Sequence, residues 1–151
     1  MSIVDVDEIA HHAAALVDLI DDQLPAVAIP YTSTQIFEMD DDAFPYAVVH
    51  IGSPQRSTER MAAVPHRLDF YPRVTVVALA KDQCEQAASV VGQSLAMRRP
   101  SIPGRQCSLV FQVGTGEATR DDSAPGGGSI ASPGHEIWAM TESWHFYSKT
   151  L

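Results

Sequence analysis

The sequence predicts an α+β fold: a mixed or antiparallel β-sheet with two α-helices packed on one face and long loops between strands. Three observations carry that expectation. From Arg67 to Ala80, Leu68, Phe70, Val74, Val76 and Ala78 share one parity while Arg67, Asp69, Tyr71, Arg73 and Thr75 share the other, the period of a half-buried strand. Two stretches instead have helical spacing, with Ile9, Ala13, Leu16 and Ile20 in one and Cys84, Ala88, Val91 and Leu95 in the other recurring at i, i+4, i+7 and i+11. The segment from Glu136 to Lys149 then alternates Trp138, Met140, Trp144 and Phe146 against Ala139, Thr141, Ser143, His145 and Tyr147, a long closing strand.

Taken in order, the first helix runs from Asp5 or Val6 to Gln23, with acidic residues in its first turn and Leu24-Pro25 ending it. His11 and His12 are neighbours on a helix and point in different directions, so they read as solvated histidines rather than metal ligands. Ala26 to Tyr31 and Gln35 to Met39 are short apolar pieces, two strands or one bent strand. Asp40-Asp41-Asp42 lacks the alternating ligands and central glycine of a calcium loop and reads as a solvated turn. Phe44 to Ile51 is a strand with a proline near its start, expected to pair with the Arg67 strand. Between them lies Gly52 to Pro65, longer than the usual hairpin loop of about 2–5 residues. It carries Arg56 and Arg60 and reads either as an arm that reaches a neighbouring subunit or as a surface loop.

Pro72 interrupts the Arg67 strand and predicts a bulge or an unpaired edge there. The second helix is expected from Asp82, which with Glu85 forms a capping box, to Arg98 and Arg99, whose charges suit the helix C-terminus, with Pro100 as the stop. Pro100 to Gly104 forms a stiff turn. Arg105 to Gly114 returns as a strand with Leu109, Phe111 and Val113 on one parity. Glu117 to Gly134, with Asp121-Asp122 and three successive glycines, reads as a flexible loop.

At 151 residues the chain is expected to form one domain, residues 1–151, large enough to bury a core. Its formal net charge of −9, from 19 acidic and 10 basic residues, opposes general binding to phosphate backbones. The two cysteines, Cys84 and Cys107, form no metal or disulfide framework, and Cys84 lies on the apolar stripe of its helix. The N-terminus lacks the basic start and apolar run of a signal peptide, and no stretch reaches membrane-spanning length, so the chain is expected to be cytosolic where it is made.

Catalytic signatures fail one after another. There is no P-loop or nucleophile elbow, Gly114-Thr115-Gly116 lacks its third glycine and following helix, and His135-Glu136 lacks the second histidine of a zinc-protease helix. The best enzymatic grouping would join His50 or His66 with Glu59 or Asp69, and nothing in the sequence fixes its geometry. The expectation is a non-enzyme with no catalytic residue, metal or cofactor.

The stretches Phe44 to His50, Arg67 to Ala80 and Arg99-Pro100-Ser101-Ile102-Pro103-Gly104-Arg105-Gln106-Cys107 resemble tail terminator proteins of long-tailed phages, especially those infecting actinobacteria. The resemblance covers roughly Phe44 to Leu151, with the first helix matching by position. It implies a homohexameric ring that caps the head-proximal end of the tail tube, stops its polymerisation and presents a surface to neck proteins. The implied partners are further copies of the chain, the major tail tube protein and a neck or head-completion protein. Genomic DNA would pass through the lumen without specific binding. Assembly would occur in the host cytoplasm, and the final location would be the neck region of the virion tail. A ring needs a heterologous interface, for which Arg56, Arg60, Met61 and Arg67 are the candidates. A conduit for DNA should repel phosphates, and Asp40, Asp41, Asp42, Asp121 and Asp122 are candidates for its lining. Two alternatives stand beside this one: an adjacent neck or tail-completion protein, and a small ligand-binding domain or enzyme, which would be a monomer or dimer with a deep polar pocket.

Overall fold

The structure, a computed structural model, describes residues 6–21, 23–29, 45–52, 54–57, 67–120 and 137–150. Helix α1 spans Val6–Asp21 and helix α2 spans Lys81–Leu95. The strands described are β1 (Ala26–Ile29), β2 (Tyr46–His50), β3 (Gln55–Ser57), β4 (Arg67–Phe70), β5 (Arg73–Ala78), β6 (Arg105–Cys107), β7 (Phe111–Gly114), β8 (Thr119–Arg120) and β9 (Trp138–Thr150). Both helices pack on the sheet and on each other, which makes the α+β arrangement the sequence predicts. All strand pairs are antiparallel except β1 with β2, so the sheet is mixed.

β9 is the spine. One of its edges pairs with β5 and then β4, and its other edge pairs with β8, β7 and β6 in turn. β2 lies outside β5 with β1 beyond it, and β3 lies outside β4. The expected pairing of the Phe44 strand with the Arg67 strand is present as β2 with β5, from Tyr46 opposite Val77 to His50 opposite Arg73.

The two edges of β9 differ. Phe70 lies opposite Phe146 and pairing resumes with Arg73 opposite Ser143, three residues on along each strand, so nothing is inserted at Pro72. The expected bulge is therefore absent. Proline lacks an N–H, but its carbonyl still accepts, and Trp144 N–H donates to Pro72 O at 2.9 Å. On the outer edge β3 pairs only as far as Asp69 and β2 only from Arg73, so among the described residues Phe70, Tyr71 and Pro72 are left unpaired there, the unpaired edge that was the alternative to a bulge. On the opposite edge the register slips three times. From Cys107↔Ser148 to Phe111↔His145 that side advances four residues to three of β9; from Gln112↔Trp144 to Gly114↔Ser143, two to one; from there to Thr119↔Ala139, five to four.

Each one-residue slip turns side chains to the other face. This overturns the expected parity of Leu109, Phe111 and Val113: Val110 is fully buried, whereas Phe111 is 44% and Val113 52% exposed. The rest of the patterning holds. Leu68, Phe70, Val74, Val76 and Ala78 face the helices with Trp144 and Phe146, against Leu16 and Ile20 of α1 and Cys84, Val91 and Leu95 of α2.

α2 departs from its sequence signals at both ends. Ala80 is the N-cap and no side chain caps it; Gln83 Oε1 instead accepts from Leu79 N–H at 3.2 Å, so the Asp82–Glu85 box does not form. The helix stops at Leu95, before Arg98 and Arg99, because Met97 turns into the left-handed region (φ 59°). That turn lets Met97 N–H donate to Val110 O and Val110 N–H donate to Arg98 O, at 2.8 and 2.7 Å, which ties the helix end to the chain entering β7.

His12 is a further correction. His11 is exposed as expected, but His12 is fully buried, its ring stacked on Phe70 with centroids 4.4 Å apart. It lies beside Ile9, Ala13 and Leu16, inside an apolar face wider than the strict stripe.

Candidate functional site

Along β4, β5 and β9 the side chains turned away from the helices are Arg67, Asp69, Tyr71, Arg73 and Thr75 on one side and Thr141, Ser143, His145, Tyr147 and Lys149 on the other. Register places Asp69 opposite Tyr147 and Arg67 opposite Lys149. Farther along this face, Tyr46, Val48 and Val77 are buried. The part around Tyr71, which is 48% exposed, is open.

A charged knot sits at its centre. Arg67 Nη2–H and Nε–H donate to the Asp69 carboxylate at 2.9 and 3.2 Å, and His145 Nε2–H donates to Asp69 Oδ1 at 2.9 Å. A carboxylate only accepts, so that bond fixes the proton on Nε2. Burial raises the Asp69 pKa, but the hydrogen bonds and charges of Arg67 and His145 outweigh it and hold the carboxyl below its ordinary value. The imidazole is clamped between two rings: Tyr71 stacks on it at 4.6 Å and Phe111 meets it edge-on at 5.0 Å. Tyr147 lies under the Arg67 guanidinium at 4.2 Å, with Lys149 Nζ at 5.2 Å. The arrangement is aromatic and largely basic, the chemistry of a contact face.

A second polar cluster lies on the helix side. Arg105 Nε–H donates to Ser148 Oγ at 2.6 Å, and the same hydroxyl shares a 2.9 Å hydrogen bond with His12 Nε2. A cavity of about 170 Å³ opens beside it, lined by His11, His12, Ile102, Pro103, Gly104, Arg105 and Thr150. Cys84 and Cys107 are both buried free thiols. Burial, with the nearby Glu85, pushes the Cys84 thiol up to about 11. Among the described residues no group of three or more His, Cys, Asp and Glu is placed to hold a metal ion.

Of the sequence candidates, Arg67 belongs to the open face. Arg56 lies on β3 opposite Leu68, while Arg60, Met61, Asp40, Asp41, Asp42, Asp121 and Asp122 lie outside the described residues. The enzymatic grouping does not assemble from what is described. Asp69 bonds His145, whereas His50 lies across from Arg73, and His66 and Glu59 fall outside the described residues. Sequence reasoning passed over Tyr71, His145, Tyr147 and Phe111. The first three stand on the polar parity of strands whose apolar parity was assigned to the core. Phe111 was hidden by the register slips.

The arrangement is that of a two-layer α+β domain with helices over one sheet face and an aromatic, basic surface on the other. Solved structures of that class include a chain of the virion of a native gene transfer agent (GTA) particle, 11% identical, with a TM-score of 0.55 over 95% of this chain and 91% of that one. A second solved chain is 15% identical, with a TM-score of 0.53 over 93% of this chain and 94% of that one. At these identities the likeness is one of fold. No protein-family model and no curated protein matches the sequence.

Proposed function

We propose that this chain is a structural subunit of a phage-like virion, and specifically a tail terminator. Residues 1–151 act as one domain, copies close into a ring, most simply a hexamer, and the ring caps the head-proximal end of the tail tube and joins it to the neck. The observation that carries this reading is the nearly end-to-end fold likeness to a gene transfer agent virion chain. The aromatic and basic face supports it, since such surfaces serve protein contacts. In the assembled ring Arg56, Arg60, Met61 and Arg67 contribute to subunit contacts. Asp40, Asp41, Asp42, Asp121 and Asp122 line a lumen that lets DNA pass without holding it. The chain acts without cofactor or catalysis, its partners are the tube protein and a neck protein, and its place is the virion.

The test is the mass of the purified chain by analytical ultracentrifugation, alone and with tail tube protein, together with electron microscopy of tube ends. A closed oligomer that sits on one end of the tube and halts elongation is the expected result. A monomer that never joins a tube end would sink the proposal. A ring that binds neck protein but leaves tube growth unchanged would assign the chain to the next ring toward the head.

A further inference from the structure

The open sheet face and the outer face of α1 carry opposite charge. Along β4, β5 and β9 the open face holds Arg67, Arg73 and Lys149 against the single carboxylate Asp69, in a chain with 10 basic and 19 acidic residues. α1, on the other side of the sheet, contains Asp7, Glu8, Asp18 and Asp21 and no lysine or arginine. Asp18 and Asp21 are exposed in its C-terminal half, where the helix dipole disfavours negative charge, and no basic residue stands in the last turn. The exposed positions before them are Ala10, His11 and Ala14, of which the two alanines permit close approach. A groove of about 300 Å³ runs between the helices, lined by residues that include Asp18, Leu19, Val90, Gln93, Ser94 and Arg98, room for an aromatic side chain such as Tyr71.

We infer that the open sheet face of one copy receives the outer face of α1 and the α1–α2 groove of a second copy. This rests on the reading of the chain as an assembling subunit and names the contact. The dimensions match: a helix of 16 residues is about 24 Å long, and the face from Arg67 to Arg73 extends about 20 Å at strand rise. Arg73 meets Asp18 and Asp21 and Tyr71 enters the groove, while Lys149, six β9 residues from the partner of Arg73 and so about 20 Å along the face, lies over the start of α1. The contact joins opposite faces of a two-layer subunit, so it is heterologous, the kind that propagates head to tail until rotation closes a ring. A nucleic-acid strand would also suit basic and aromatic side chains, but the acidic excess of the chain disfavours it.

The experiment uses two double variants of the full chain. Arg73→Glu/Lys149→Glu reverses the sheet face, and Asp18→Lys/Asp21→Lys reverses the helix face; all four residues are exposed, and circular dichroism checks that each variant folds. Each variant alone is expected to sediment as a monomer. Mixed one to one, they are expected to regain the wild-type mass, because reversed sheet meets reversed helix at every second contact. Wild-type mass should also fall as salt rises from about 0.05 to 0.5 M, where screening removes the attraction. Either variant keeping the wild-type mass alone, or folded variants failing to associate on mixing, overturns the contact and leaves the virion-ring proposal standing. A wild type that stays monomeric even with tube ends removes both. Unchanged mass in the sheet-face variant with loss of binding to a single-stranded oligonucleotide would overturn the contact in favour of nucleic acid.

Discussion

Single residues on the two faces of the sheet carry separable consequences. Asp69 is held ionised by Arg67 and His145, so its folded pKa lies below its unfolded one. The stability it contributes is present above the unfolded value, near 3.8, and lost as pH falls through the folded one. His50 is lowered by burial first and by Arg73 second. The unfolded chain therefore binds a proton below about 6.5 that the folded chain resists, and stability also declines from there toward the folded pKa. Urea midpoints should accordingly fall in two acid steps, with His50→Gln removing the upper one and Asp69→Asn the lower. Ser148 hydrogen-bonds both His12 and Arg105 in a fully buried position, so Ser148→Ala should destabilise by about 1–3 kcal/mol in urea unfolding. Met97 is non-glycine at φ 59° and 67% exposed. Met97→Gly relieves the left-handed strain at little packing loss and should raise Tm by about 1–4 °C. These side-chain roles were only partly legible. Burial of Cys84 followed from helical spacing, whereas His12, Asp69 and His145 meet partners 76 or more residues away, which no local pattern reveals.

At the level of elements, periodicity recovered the helices and the strands with a clear buried face, because burial on one side imposes the period directly. It failed where tertiary contacts override local signals. The capping box at Asp82 and the basic end at Arg98-Arg99 are sound signals in an isolated helix. Here the pairing of Met97 and Arg98 with Val110 decides where α2 ends. Pro72 marked an unpaired stretch on the outer edge while leaving the register with β9 intact, and nothing comparable marked the three slips along β6, β7 and β8. Hydrogen exchange should report the asymmetry. Amides of β9, paired on both edges, should exchange last, and those of β7 and β8, which pair only with β9 among the described strands, should exchange well before them.

For the molecule as a whole, charge supplied more than composition alone implied. The net value of −9 hides a basic face within an acidic chain, and only the register reveals that separation because it brings Arg67 and Lys149 together from opposite parts of the sequence. The candidate site was accordingly half legible: Arg67 was singled out, but its aromatic setting was not. If charged faces hold copies together, association should be fastest at low salt and slow steeply as salt rises, measurable by stopped-flow light scattering, with a flat dependence counting against it. β9 has one more consequence, for the order in which the molecule comes into being. It is synthesised after every strand it joins, so β4, β5 and β6 to β8 emerge from the ribosome with the edges it will cover still bare. Folding must wait for that last strand to search across distant segments, a slow, non-local closure during which nascent chains are prone to pair with one another.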